Sequence, residues 1–107
     1  MATISTHVLD TVAGEPAAGV AVSLHTVDDS TERVLSSTST DNDGRVADLL
    51  GGERLRTGIY RLVFNTAAYG NTFYPEVSIV FRVSDPDAHH HIPLLLSAFG
   101  YSTYRGS

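Results

Sequence analysis

Histidine carries most of the chemistry this sequence can offer. Three stand in a row at His89, His90 and His91, and two more stand alone at His7 and His25. An imidazole titrates near neutral pH, so it can take or give a proton there, and its neutral form can hold a metal ion. Arg45 follows the turn Asp41-Asn-Asp-Gly44 and brings a planar fork of donors suited to an oxyanion or to carbonyl oxygens. The end of the chain, Tyr101-Ser-Thr-Tyr-Arg-Gly-Ser107, adds hydroxyls, two aromatic rings and another arginine. A terminus is usually polar and frayed. This one follows the apolar run Ile92 to Leu96 through a turn at Ala98-Phe-Gly100, which predicts a tail that is docked and used.

Each of these residues also has a plain reading. On a strand, alternation sends His89 and His91 to one face and His90 to the other. His-x-His is half of a zinc site, which His7, His25 or a carboxylate would have to complete. It is equally a set of solvated histidines at a strand end. A lone histidine such as His7 in a first strand is more often packed than catalytic, and an arginine after a turn is normally solvated. Asp41-Asn-Asp-Gly44 begins like a calcium loop but lacks the downstream spacing and the bidentate glutamate, so it reads as a plain turn. There is no Gly-rich phosphate loop, no Ser-centred nucleophile elbow and no glycosidase-like carboxylate pair.

The elements that must position these residues are short strands. Thr3 to Asp10 alternates, with Ile4, Thr6 and Val8 on one face and Ser5, His7 and Leu9 on the other. Gly14-Glu-Pro16 is a turn. Val20 to Val27 and Arg33 to Thr40 are strands, the second hydroxylic and half exposed. Arg45 to Leu50 is a short segment closed by Gly51-Gly52. Gly58 to Asn65 is a strand with Ile59, Leu62 and Phe64 as core candidates. Residues 66–72 read as a short helix or a loop. Val77 to Val83 alternates cleanly, and His90 to Ser97 and Tyr101 to Arg105 close the chain. About eight strands, with turn signals every 8–12 residues, predict an all-β two-sheet β-sandwich or a barrel.

Length and composition limit the function classes. At 107 residues, 1–107 reads as a single domain of ordinary hydrophobic content. Such a chain buries only about two-thirds of its unfolded surface, so oligomerisation would help it. A net charge of −5 argues against nucleic acid or an anionic membrane as the main partner. The seven basic residues are all arginine, so no lysine is available for a Schiff base. Without cysteine there is no disulfide, thiolate ligand or thiol nucleophile. The start has no signal-peptide pattern and no apolar run is long enough to span a membrane, which makes the cytoplasm the expected location.

Taken together, the residues resemble one family. Ser5-Thr-His-Val-Leu-Asp10 with Gly14-Glu-Pro-Ala17, Asp43-Gly-Arg45, His89-His-His-Ile-Pro-Leu-Leu-Leu-Ser97 and Gly100-Tyr-Ser-Thr-Tyr-Arg-Gly-Ser107 look like the signatures of the transthyretin-like family. Within it they are similar to the 5-hydroxyisourate hydrolases, whose closing Tyr-Arg-Gly-Ser separates them from transthyretin proper. Two positions depart. His90 stands where the family more often has tyrosine, and Ala98 where it usually has proline.

The resemblance implies a prealbumin-like two-sheet β-sandwich of about eight strands with one short helix, assembled as a homotetramer. It implies ring-opening hydrolysis of an oxidised purine, 5-hydroxyisourate, to 2-oxo-4-hydroxy-4-carboxy-5-ureidoimidazoline in urate breakdown, with no cofactor and no metal. The catalytic set carried over is His7, Arg45 and His91, with His7 as the expected base and His91 as its partner. Ser102, Tyr104, Arg105, Gly106 and Ser107 would complete the substrate pocket. The alternative in the same family is a small-ligand carrier without catalysis. Transthyretin lacks the two histidines and the Tyr-Arg-Gly-Ser end.

Overall fold

The computed structural model describes residues 2–106. The strands are β1 (Ile4–Asp10), β2 (Glu15–Pro16), β3 (Ala21–Val27), β4 (Glu32–Ser39), β5 (Arg45–Val46), β6 (Gly58–Asn65), β7 (Val77–Val83), β8 (His90–His91), β9 (Leu94–Leu96) and β10 (Tyr101–Thr103). One helix, α1 (Thr66–Tyr69), follows β6. The first sheet runs β10-β9-β1-β2, with β5 and β8 also on β1. The second runs β4-β3-β6-β7.

Alternation explains the two layers. Ile4, Val8 and Leu94 point inward from the first sheet and are fully buried. Leu24, Leu62, Phe64 and Val77 meet them from the second. Burying each such side chain stabilises the fold by about 1.5–3 kcal/mol, so the sandwich interior holds the sheets together. Ser5 and His7 alternate with the inward residues and so face out of the first sheet. In β6 the buried partner of Leu62 and Phe64 is Tyr60, not Ile59, because period two puts Ile59 on the opposite face. The Tyr60 hydroxyl stays satisfied by donating to the Arg56 carbonyl at 2.7 Å.

The expected eight strands become ten for two reasons. Glu15–Pro16 pairs with Leu9 and Asp10 instead of only turning the chain. The expected strand His90 to Ser97 breaks into β8 and β9 around Ile92 and Pro93, where proline has no N–H for the ladder. Thr6 bridges the break: its hydroxyl donates to the Ile92 carbonyl at 2.6 Å. On the other side of the break, the Thr103 hydroxyl donates to the Pro93 carbonyl at 2.6 Å.

α1 is a single turn. Asn65 caps it by accepting from the Ala68 N–H at 3.2 Å, and Gly70 ends it at φ +126°. It is anchored to β1 by the Tyr69 hydroxyl, which donates to Asp10 Oδ2 at 2.7 Å. That bond and the N–H groups of Ala13 and Val12 hold the Asp10 carboxyl below its usual range, the Ala13 N–H contributing most. Burial, and the same carboxylate beside it, push the Tyr69 phenol up to about 12.

Candidate active site

β1 is the strand on which the candidate residues converge. On one side His7 stands directly opposite Arg45 in the antiparallel pairing with β5. On the other, Ser5 stands opposite His91 in the parallel pairing with β8. Facing residues share one side of a sheet with Cβ atoms roughly 4.5–5.5 Å apart. The outer face of the first sheet therefore gathers His7, Arg45, Ser5 and His91. Three of these four lie far apart in sequence, and only the β1 pairings bring them together.

The turn before Arg45 is built to place it. Asp41 Oδ1 accepts from the N–H groups of Asp43 and Arg45 at 2.9 and 3.0 Å. Gly44 adopts φ +74°, and a Cβ there would lie 2.4 Å from the Val8 carbonyl oxygen. Glycine at this position thus allows a left-handed turn and close approach to β1 together. The Val8 N–H closes the contact by donating to the Gly44 carbonyl at 2.7 Å.

The tail is docked, as its composition predicts. β10 pairs antiparallel with β9, Ser102 facing Leu95 and Thr103 facing Leu94. Past the gap at Pro93 the same register resumes, with Gly106 opposite His91 and its N–H donating to the His91 carbonyl at 2.8 Å. A Cβ on Gly106 would lie 2.5 Å from Cδ2 of the His91 ring. The glycine is therefore a seat for the imidazole. Continuing the register puts Tyr104 opposite Pro93, on the His91 side, and Arg105 opposite Ile92, on the other. Arg105 and Tyr104 instead line a groove of about 250 Å³ with Phe81 and Arg82 of β7. Ser102 is exposed, and Ser107 lies outside the described residues.

His89 and His91 flank Ser5. The Ser5 hydroxyl hydrogen-bonds with Nδ1 of His91 at 2.8 Å and with Nε2 of His89 at 3.0 Å. The other nitrogen of His89 bonds with the Thr3 hydroxyl. The two rings lie nearly parallel, with centroids 6.5 Å apart. Burial, reinforced by the charges of His89, Arg45 and His7, holds the His91 imidazole below its ordinary value. His91 is therefore neutral at pH 7 and able to accept a proton. A hollow of about 440 Å³ opens between these rings and Arg45, with Ser5, Thr6 and Asp41 among its walls.

Two histidines are used elsewhere. His90 is buried on the inner side, with Nδ1 bonded to the Ala88 carbonyl at 2.9 Å. His25 lies on the second sheet, bonded to Glu32 and Ser23. The structure thus does not bring His25 to the His89–His91 pair. Among the described residues, no three His, Asp or Glu side chains converge as metal ligands do.

Comparison with known proteins bears directly on this constellation. The sequence profile described as the HIUase/Transthyretin family matches residues 4–106. The chain belongs to the HIUase/transthyretin family. A 5-hydroxyisourate hydrolase from Salmonella dublin is 42% identical over 109 residues, covering 97% of this chain and 80% of that one. The solved 5-hydroxyisourate hydrolase of Klebsiella pneumoniae superposes with a TM-score of 0.87 at 35% identity, over the full length of both chains. Transthyretin from Sparus aurata gives 0.88 at 30% identity, over 99% and 97%. (S)-Allantoin synthase gives 0.87 at 31% identity; the chain spans 99% of its own length but only 44% of that larger one. Hydrolase and transthyretin share this prealbumin-like sandwich, so within the HIUase/transthyretin family the fold alone does not separate catalysis from carriage.

Reading the sequence overlooked Thr3 and Ser5 as partners of the histidines, and Gly106 as the seat of His91. A signal for Ser5 was present: alternation places it with His7. Its pairing with His91 required knowing that β1 and β8 run parallel.

Proposed function

We propose that the protein is a hydrolase that opens the six-membered ring of 5-hydroxyisourate by adding water across a ring amide. The supporting observation is the single sheet face that carries His7, Arg45 and His91, with the tail closed against His91 through Gly106. The relatives named above as 5-hydroxyisourate hydrolases support the choice of substrate.

The chemistry follows from the geometry. Water needs a base, the carbonyl oxygen needs a cation as it becomes an oxyanion, and the departing nitrogen needs a proton. His91 is held neutral and has Nδ1 committed to Ser5, so Nε2 is the nitrogen available to take the proton of water. We assign the base to His91, exchanging the roles expected from the sequence. His7, opposite Arg45, is placed to orient the water or protonate the leaving nitrogen. Arg45 holds the developing oxyanion with its planar fork. Tyr104 supplies an aromatic wall, and Ser102, Arg105, Gly106 and Ser107 belong to the proposed pocket. No step calls for a cofactor.

The proposal extends to assembly and setting. Residues 1–107 form one catalytic domain that works as a homotetramer in the cytoplasm. β7 and β10 are both sheet edges, and unpaired edges invite pairing with another copy. The outer face with the histidines would then line a channel between stacked pairs. Among the described residues, no helix is long and apolar enough to cross a membrane.

The test is direct. 5-Hydroxyisourate made from urate by a urate oxidase should lose its ultraviolet absorbance faster when the protein is added. Arg45→Ala should lower turnover by about 10²–10³-fold, the usual effect of losing one oxyanion donor. Turnover that survives this change would remove Arg45 from the electrostatic role.

A further inference from the structure

Ser5 has one hydroxyl hydrogen and sits between two imidazole nitrogens, Nε2 of His89 and Nδ1 of His91. With a single hydrogen to give, Ser5 cannot donate to both rings: where one ring accepts that hydrogen, the other must donate to the Ser5 oxygen. The tautomers of His89 and His91 are therefore coupled. The chain of bonds continues from Nδ1 of His89 to the Thr3 hydroxyl. It starts at a half-buried ring inside the hollow and ends at an exposed one, His89, with buried Ser5 as the link.

We propose that Thr3, His89 and Ser5 form a proton relay serving His91, so that His89 is a positioning and relay residue for ring opening. The inference rests on the hydrolase reading given above. In the resting polarity His91 donates from Nδ1 to Ser5, Ser5 donates to Nε2 of His89, and His89 donates from Nδ1 to Thr3. His91 then presents an unprotonated Nε2 to water. When that nitrogen takes a proton from the attacking water, the Nδ1 proton passes to Ser5 and the Ser5 proton passes to His89. His89 gives up its Nδ1 proton to Thr3 and solvent. One proton has entered at His91 Nε2 and one has left at His89, and every group between them is neutral again. His91 now carries its proton on Nε2; as it delivers that proton to the departing nitrogen, a proton returns from solvent through His89 and Ser5 to Nδ1, which restores the resting polarity and leaves every group neutral.

Two features make such a relay useful. Ring opening of a cyclic amide yields a carboxylic acid, which ionises at neutral pH, so each turnover must release a proton to water. The surroundings of His91 also disfavour storing one. His7, Arg45 and His89 face it from β1, β5 and the preceding loop. Tyr104, Arg105 and Arg82 share a groove with it on its other side. Asp41, at the rim of the hollow, has its carboxylate oxygen Oδ1 committed to backbone N–H groups. Among the described residues, neither His89 nor His91 bonds a carboxylate.

His89→Gln separates a relay from a support. Glutamine can keep a hydrogen bond to Ser5 but does not pass a proton as imidazole does. The relay predicts that kcat falls about ten-fold or more while KM changes by less than about two-fold. Free imidazole added to the assay should restore much of the loss. Ser5→Ala should lower kcat without imidazole rescue. Nitrogen NMR of the free protein should show the tautomers of both His89 and His91 altered by Ser5→Ala. Full kcat in His89→Gln, a loss that imidazole does not restore, or His91 and His89 tautomers indifferent to Ser5→Ala would each overturn the relay. Wild-type turnover tells the two failures apart. Its absence removes the hydrolase reading, whereas wild-type turnover with an unaffected His89→Gln removes the relay alone.

Discussion

At the scale of single residues, the proposed chemistry rests on which groups carry protons. In the proposed reaction His91 is assigned as the base because its neighbours keep it neutral: burial first, then the charges of His89, Arg45 and His7. The sign of the pH dependence follows. A depressed imidazole loses its proton below the ordinary value of 6.5. A base must be unprotonated to act, so kcat/KM should rise with pH through the depressed pKa and be flat near neutrality. A pH–rate profile measures this. An inflection above 6.5, or a rate that falls as His91 deprotonates, would contradict the assignment. The sequence displayed His7, Arg45 and His91 as candidates by type and by likeness to a family. It did not display Thr3 or Ser5, because a hydroxyl in a strand is ordinary until its partner is known.

At the scale of elements, β1 and the tail do the positioning. β1 was legible in the sequence, since its alternation separates Ile4, Thr6 and Val8 from Ser5, His7 and Leu9, and the burial pattern follows that division closely. β7 was legible for the same reason. The interruption at Ile92 and Pro93 is hidden in the sequence by the apolar run around it, although Pro93 carries the signal. Parallel pairing of β1 with β8 and β9 joins segments more than 80 residues apart, and no local pattern encodes it. The seat for His91 was equally hidden: Gly106 has an extended or ordinary backbone, and its lack of a side chain matters only because the ring lies over it. Gly106→Ala should therefore displace the His91 ring, lowering kcat sharply while thermal melting shifts little. Thermal melting and turnover measured on the same preparation check this. Unchanged kcat would show that the ring does not rest on Gly106.

At the scale of the whole molecule, the sandwich presents the face that carries His7, Arg45 and His91 outward, and a single chain leaves that hollow open to water. Excluding water strengthens the electrostatic contacts on which the reaction depends. A tetramer whose channel is lined by this face would provide the enclosure. Sedimentation should then give a particle about four times the 11.5 kDa chain, and specific activity should fall on dilution into the range where the assembly dissociates. Activity independent of dilution, in a protein that sediments as a monomer, would show that one chain suffices. The layered fold was legible from turn spacing and alternation, because two-sheet sandwiches are written in local periods. Which sheet edge meets which was not, since it depends on contacts between distant segments. The most direct measurement is the decay of freshly formed 5-hydroxyisourate with wild-type protein and with His91→Ala, each shown to be folded by circular dichroism. The account predicts rapid decay with the wild type and near-spontaneous decay with the variant. Spontaneous decay with both, or equal acceleration by both, would contradict it.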